Sequence, residues 1–334
     1  MSALELRDVV VDYERRDGGR VRAVAGASLS IEPGQIVGLV GESGCGKSTL
    51  ARAAVGLVKP TSGSVVFSGR EVAPLGRRGR QRDLARLQLV FQNPYSSLNP
   101  RRKIGSQLAD ALATLGLVPA SERAGRVREL CELVGLPAAA VNRFPHEFSG
   151  GQRQRIAVAR TLAAEPSVIV LDEPLASLDA SAQAQLANLL VNLSRELGLG
   201  LLLISHDLAI VRHVADVVSV MYLGKMVETG ATRQLWDQPL HPYSEALIKA
   251  IPHPDGNGFL PESLPGEVPD PGLPPSGCRF HPRCPYAFAR CEAEEPPLVA
   301  LAGERTAACW LQPEGGPAAS PAERAKLVAG GGVE

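Results

Sequence analysis

The chain has 334 residues, 35 basic and 35 acidic side chains, 45% hydrophobic residues and a mean hydropathy of +0.01. That length allows one large domain or two modest ones with a substantial core, and the apolar content excludes a disordered chain. A net charge of zero gives no general electrostatic attraction to nucleic acid or an anionic membrane surface. No apolar run reaches the roughly 18 residues of a membrane span, and the opening stretch MSALELRDVV carries charges where a signal peptide has its apolar core. The expectation is a soluble protein, or a soluble subunit of something larger.

Up to about residue 250, short apolar runs alternate with helix-period segments. QIVGLV (35–40), LQLVF (87–91), VIVL (168–171), LGLLLI (199–204) and VVSVMYL (217–223) read as buried strands. Between the third and fourth, Leu186, Leu189, Leu190, Leu193 and Leu197 share one helical face, with Asp179 or Ser181 available as a cap. This alternation predicts an α/β fold with a mostly parallel sheet covered by helices. The segment from about 81 to 164 is helical in pattern and predicts an inserted or flanking helical subdomain. Nine prolines fall from 252 to 282, so 251–277 reads as a Pro-rich linker. It leads into a Cys-rich segment, 278–310, which holds Cys278, Cys284, Cys291 and Cys309; residues 311–334 have the composition of a frayed tail.

GESGCGKST (41–49) follows the first of these strands and precedes the helical run LARAAVGL, which is the strand–loop–helix context of a phosphate-binding loop. Gly41, Gly44 and Gly46, with Ser43 and Cys45 between them, let backbone N–H groups turn inward around phosphate oxygens. Lys47 reaches the β- and γ-phosphates, the Ser48 hydroxyl sits on Mg²⁺, and Thr49 completes the ATP-binding run.

The phosphate loop is followed by FSGGQ (148–152), by VIVLDEP (168–174) with ASLD (176–179), and by SHD (205–207); Gln92 follows the strand at 87–91. This ordered set resembles the ATP-binding cassette (ABC) ATPase family over residues from about 4 to 250. The resemblance implies a P-loop NTPase of the ABC-ATPase fold over 1–250, a RecA-like core with an antiparallel β-subdomain and a helical subdomain, plus the C-terminal Cys-rich extension. Hydrolysis of the γ-phosphate needs charge neutralisation, an oriented water and exclusion of bulk solvent. By resemblance, Asp172 holds Mg²⁺ together with Ser48 and Gln92, and Glu173 polarises the attacking water. His206 contacts the γ-phosphate, Gln92 senses metal and nucleophile, and Tyr13, in VVVDYERR, stacks on adenine. Ser149, Gly150, Gly151 and Gln152 match the signature that caps ATP bound by the other subunit, and Asp179 belongs to the D-loop. One P-loop and one signature therefore imply a head-to-tail dimer.

CRFHPRCPYAFARC followed by Cys309 gives spacings of five, six and seventeen residues. Zinc sites usually show tight C-x₂₋₄-C pairs, which are absent here, whereas four thiolates at looser spacing suit an iron–sulfur cluster. The segment also resembles the C-terminal extension of oligopeptide- and dipeptide-import ATPases, in which such cysteines bind a [4Fe-4S] cluster. Zinc and unliganded thiols stay open as alternatives. VFQNPYSSLNPR (90–101) and HPYSEALIKAIP (241–252) resemble the same peptide and nickel import branch. Cys131 reads as a core residue.

The resemblance implies an ATP-hydrolysing importer motor, peripheral at the cytoplasmic face of the membrane. Its partners would be a paralogous ATPase or a second copy, two membrane permeases and an extracytoplasmic substrate-binding protein, with no nucleic acid. Di- or oligopeptide is the implied cargo; nickel, glutathione or another small solute is the alternative. A non-transport ABC ATPase acting on nucleic acid or ribosomes is the reading from another class.

Overall fold

In β1 (Leu4–Glu14) the buried residues are Leu4, Leu6, Val9 and Val11, so the apolar spacing runs two, three, two. The slip falls at Asp8, whose φ of 46° lies in the left-handed region, and a bulge there keeps both halves of the strand on the same core. β1 pairs antiparallel with β2 (Arg20–Ile31) and β4 (Ser62–Phe67). β5 (Arg70–Glu71) completes this sheet. The computed structural model describes residues 2–15, 18–76, 82–93, 97–251, 264 and 266–312, and among them this first sheet has four strands.

The second sheet carries the five expected strands, β3 (Ile36–Val40), β6 (Leu87–Val90), β7 (Val168–Asp172), β8 (Gly200–Ile204) and β9 (Val217–Tyr222). They run parallel in the order β9-β3-β8-β7-β6. Ile169, Leu171, Leu201 and Leu203 enter one core, while Val168, Val170, Leu202 and Ile204 enter the other. Strands buried on both faces need no polar alternation, hence their uninterrupted apolar runs. α1 (Lys47–Ala54) packs in the core shared by the two sheets. On the opposite side lie α4 (Gly150–Leu162), α5 (Ala180–Leu197) and α6 (Leu208–Val214).

α2 (Ile104–Leu115) and α3 (Arg123–Leu133) join α4 as the helical subdomain; Cys131 is fully buried among them, as expected. The helical part starts at Ile104, because residues 87–90 within the expected 81–164 segment form the edge strand β6 of the main sheet. In α5 the cap is Asp179, which accepts from the Ala182 N–H at 2.9 Å, and Gly198 at φ 65° ends the helix. Leu197, expected on the buried face, is 47% exposed, at the last turn where the helix leaves its packing.

The region expected as an appended extension continues the main sheet instead. β10 (Lys225–Ala231) pairs antiparallel with β9, and β12 (Arg305–Ala307) pairs with both β10 and β11 (Val299–Leu301). Three short helices accompany it, α7 (Thr232–Asp237), α8 (Pro242–Lys249) and α9 (Ala289–Ala293). β10 carries Glu228 with no solvent exposure, and its carboxylate accepts from the backbone N–H groups of Leu240 and His241, both at 2.9 Å. Arg305 of β12, 5% exposed, donates to the same carboxylate at 3.0 Å. Of the expected linker, residues 252–263 and 265 lie outside the described residues, as do 313–334 of the expected tail.

Removing one partner of a buried pair strands the other charge. Arg305→Met, which keeps the volume, is expected to lower stability by about 3 kcal/mol in urea unfolding. A loss below about 1 kcal/mol would show that the pair does not hold β12 to the sheet.

Candidate active site

After β3 the chain turns through Gly41 at φ 150° and Gly46 at φ 108°. A Cβ at Gly41 would stand 2.1 Å from the Met221 carbonyl oxygen, and one at Gly46 would stand 2.2 Å from that of Ala23. β9 and β2 thus press the loop so closely that only glycine fits. Lys47 opens α1 and is 4% exposed; its ammonium donates to the carbonyls of Gly41 at 2.7 Å and Glu42 at 2.9 Å. It also reaches the Cys45 sulfur at 3.7 Å. Burial pushes the Cys45 thiol up, so the residue is a neutral packing group. Ser43 and Gly44 are exposed at the loop tip, and Thr49 lies within the first turn of α1.

Ser48 Oγ donates to Asp172 Oδ1 at 2.8 Å, joining α1 to the end of β7. Burial raises the Asp172 carboxyl above the ordinary carboxylate range, and the Ser48 hydrogen bond opposes the shift. Glu173 follows with φ 48°, and its N–H donates to the Ile204 carbonyl at 3.1 Å. Its Oε2 accepts from Gln92 Nε2 at 3.0 Å and lies 3.5 Å from His206 Nδ1. Gln92, Glu173 and His206 come from the ends of the neighbouring strands β6, β7 and β8, so the parallel register brings three separate motifs to one carboxylate oxygen. Asp207 of SHD instead caps α6, accepting from the N–H groups of Ala209 and Ile210.

Ser149 caps α4 and exchanges hydrogen bonds with Gln152: the Gln152 N–H donates to Ser149 Oγ at 3.3 Å, and the Ser149 N–H donates to Gln152 Oε1 at 3.0 Å. Phe148 before it is buried, and Ser149 and Gly150 are exposed. Gly151 faces Ala182 so closely that a Cβ would stand 3.1 Å from it, which places the signature beside the Asp179 cap of α5. Tyr13 is paired with Val21 near the end of β1 and is 40% exposed, an open aromatic face at the strand end. Between β6 and α2, Val90, Phe91, Arg102, Asp110, Thr114 and Arg160 line a groove of about 640 Å³.

Two residues near the loop lie outside the ATPase motifs. Tyr243 of α8 accepts the Glu42 N–H on its hydroxyl at 2.8 Å, and Arg283 contacts the Glu42 carboxylate. Arg283 lies within the cysteine run, yet the structure ties it to the phosphate loop.

The expected iron–sulfur or zinc ligation by Cys278, Cys284, Cys291 and Cys309 is not carried by this arrangement. All four are described, and among the described residues no group of three or more His, Cys, Asp or Glu is assembled to hold a metal ion. Cys278 and Cys291 are neighbours through a backbone hydrogen bond of 2.8 Å. Burial pushes the Cys278 thiol up to about 11.

A family model described as ABC transporter matches residues 24–176, and one described as oligopeptide/dipeptide transporter, C-terminal region, matches residues 227–291. The di/tripeptide transport ATP-binding protein DppF of Pseudomonas aeruginosa is 47% identical over 92% of this chain and 97% of its own length. The oligopeptide transport ATP-binding protein AppF of Bacillus subtilis is 44% identical over 92% of this chain and 97% of its own. Among solved structures, cbiO1 from Clostridium perfringens, part of the ABC transporter complex cbiONQ, matches with a TM-score of 0.63 and 28% identity, covering 71% of this chain and 91% of that one. The dimeric ATP-binding cassette MJ0796, in a post-hydrolysis state with ADP and Pi, matches at 0.61 and 27%, covering 69% and 99%. Among the described residues no helix is long and apolar enough to cross a membrane. With the phosphate loop, signature and Gln92–Glu173–His206 cluster all in place, the chain belongs to the ABC transporter ATPases, in the branch that carries the oligopeptide/dipeptide transporter C-terminal region.

Proposed function

We propose that this chain is the ATP-hydrolysing motor of a di- or oligopeptide importer, working at the cytoplasmic face of the membrane. The observation that carries the chemistry is the meeting of Gln92 and His206 on Glu173 Oε2, at 3.0 and 3.5 Å, one residue from the Asp172–Ser48 pair. Glu173 accepts a proton from the attacking water at that oxygen, while Gln92 and His206 hold the carboxylate toward the γ-phosphate side of the loop. Lys47 takes the β- and γ-phosphates in exchange for the carbonyls it now bonds. The Ser48 hydroxyl and the Asp172 carboxylate, with Gln92 nearby, form a hard oxygen donor set that fits Mg²⁺. The ion supplies charge neutralisation at the phosphates. Tyr13 stacks its open face on the adenine.

The signature serves a second ATPase subunit. Ser149 and Gly150 are exposed at the α4 N-terminus, where backbone N–H groups and the helix dipole favour a phosphate brought by a partner. Gln152 fixes the cap and Asp179 stands next to it at the same face. A dimer of this kind is supported by the solved dimeric cassette. The partner is a paralogous ATPase subunit or a second copy. The 640 Å³ groove beside Gln92 suits a helix of a membrane permease, so that closing of the dimer moves the permease. Two permeases and an extracytoplasmic binding protein complete the importer, and peptide as cargo is supported by the names of the relatives.

Glu173→Gln is expected to lower steady-state ATP turnover about 10²- to 10⁴-fold, while ATP-dependent dimers persist in size-exclusion chromatography. Undiminished ATPase would remove Glu173 from this role. Thr114 is exposed on the groove wall, so Thr114→Trp is expected to fill the groove, abolish co-purification of the permeases and stop uptake of a labelled di- or tripeptide in cells. Co-purification at the parental level would place the docking surface elsewhere.

A further inference from the structure

Glu42 is a carboxylate set inside a loop built to hold a polyphosphate. Like charges brought together in one loop oppose binding unless a cation intervenes. The structure supplies that cation from the other end of the chain. Arg283 donates through Nη1 to Glu42 Oε2 at 2.7 Å and through Nη2 to Oε1 at 3.0 Å, a bidentate fork. Arg283 is 5% exposed, and its guanidinium also reaches the Tyr222 hydroxyl at 3.3 Å. Tyr222, Tyr243 and Phe280 form a mutual aromatic cluster with centroids 4.6 to 5.3 Å apart, and the guanidinium lies 5.8 and 5.9 Å from the Tyr222 and Phe280 rings.

Side chains hold the same loop residue at two more points and the residue before it at a third. Its N–H donates to the Tyr243 hydroxyl at 2.8 Å, its carbonyl takes the Lys47 ammonium at 2.9 Å, and the preceding carbonyl takes that ammonium at 2.7 Å. A chain of contacts thus runs from the C-terminal segment through Arg283 and Glu42 to the lysine that meets the phosphates. The fork also lifts the Arg283 guanidinium above its ordinary range, so its charge is permanent.

We propose that Arg283 is a positioning residue of the nucleotide site: it neutralises Glu42 and turns its carboxylate away from the phosphates, so that seating of the C-terminal segment sets the affinity for ATP. The proposal rests on the ATPase reading. Nothing in the phosphate-loop chemistry calls for an acid at the second position, and a neutral residue there would need no clamp. The acid makes the loop dependent on Arg283.

The test uses the full chain, with Mg·ATP displacing a fluorescent ATP analogue at equilibrium and ATPase kinetics read alongside. Arg283→Leu is expected to weaken ATP binding and raise KM about tenfold while kcat stays within about twofold, since the hydrolytic cluster is untouched. Adding Glu42→Gln to that variant is expected to restore affinity to within about threefold of the parent, because the stranded carboxylate is gone. A merely structural arginine would show no such recovery, and additive losses in the double variant would overturn the proposal. Arg283→Lys covers the case in which the leucine variant does not fold: it keeps the charge but loses the fork, so binding weakens about threefold and recovers with Glu42→Gln. Parental affinity in Arg283→Lys and in folded Arg283→Leu would also overturn it. If the parent chain itself bound no Mg·ATP, the ATPase reading would fail before the clamp was tested.

Discussion

A buried ammonium has to be ringed by oxygen, and that requirement organises the centre of this molecule. Lys47 is almost fully enclosed, and the carbonyls of Gly41 and Glu42 are turned toward it. They can turn that way because Gly41 and Gly46 take φ values of 150° and 108° in a space where neighbouring carbonyls leave no room for a Cβ. The walls of that space are β9 and β2, so both sheets must be in place before the loop has its shape. α1 then fixes Ser48 against Asp172 and so ties the loop to β7. Each of these contacts would be costly to keep without the others, because a buried charge or hydroxyl without partners is destabilising.

The residues that meet at Glu173 Oε2 stand in motifs that are legible in the sequence; their distance from one another is not. Gln92, Glu173 and His206 are separated by long stretches of chain, and each has an ordinary reading taken singly. What unites them is register. Val90 pairs with Leu171, and Leu171 with Leu203, in one row across the sheet. Gln92 and Glu173 lie two residues beyond that row and His206 three, so all three emerge at the same edge. The parallel strands are legible because their runs are predominantly apolar, β7 and β8 on both faces, and that reading already places polar strand ends on one side.

What stays hidden does so for physical reasons. In β1 the bulge at Asp8 breaks the period of two, and in β10 a fully buried Glu228 interrupts what would read as an apolar strand. Both features are local violations repaired by distant partners: Ser28 for Asp8, and Arg305, Leu240 and His241 for Glu228. The cysteine-rich segment hides its contacts in another way. Its four sulfurs dominate its appearance, yet a phenylalanine and two arginines share the packing with them: Phe280, Arg283, Arg305 and Cys291 are all buried, and Cys278 and Cys284 pack against the core. Residues after 277 therefore close the main sheet and brace the phosphate loop, instead of forming a separate module beside them.

Glu173 sits in the left-handed region at φ 48°, a conformation that costs a side-chain-bearing residue about 1–2 kcal/mol. Such a cost persists only where the surroundings over-determine it. Here the N–H of Glu173 is held by the Ile204 carbonyl, the next residue is Pro174, and the carboxylate is held by Gln92. An extended residue at that point would carry the side chain on along the line of β7, past Asp172. The left-handed turn swings it sideways, across the strand ends, to where Gln92 and His206 arrive. Asp172 and Glu173, adjacent acids in the chain, are thereby divided between two settings, one facing Ser48 of the phosphate loop and the other Gln92 and His206. The strain is thus part of what lets consecutive carboxylates face different partners.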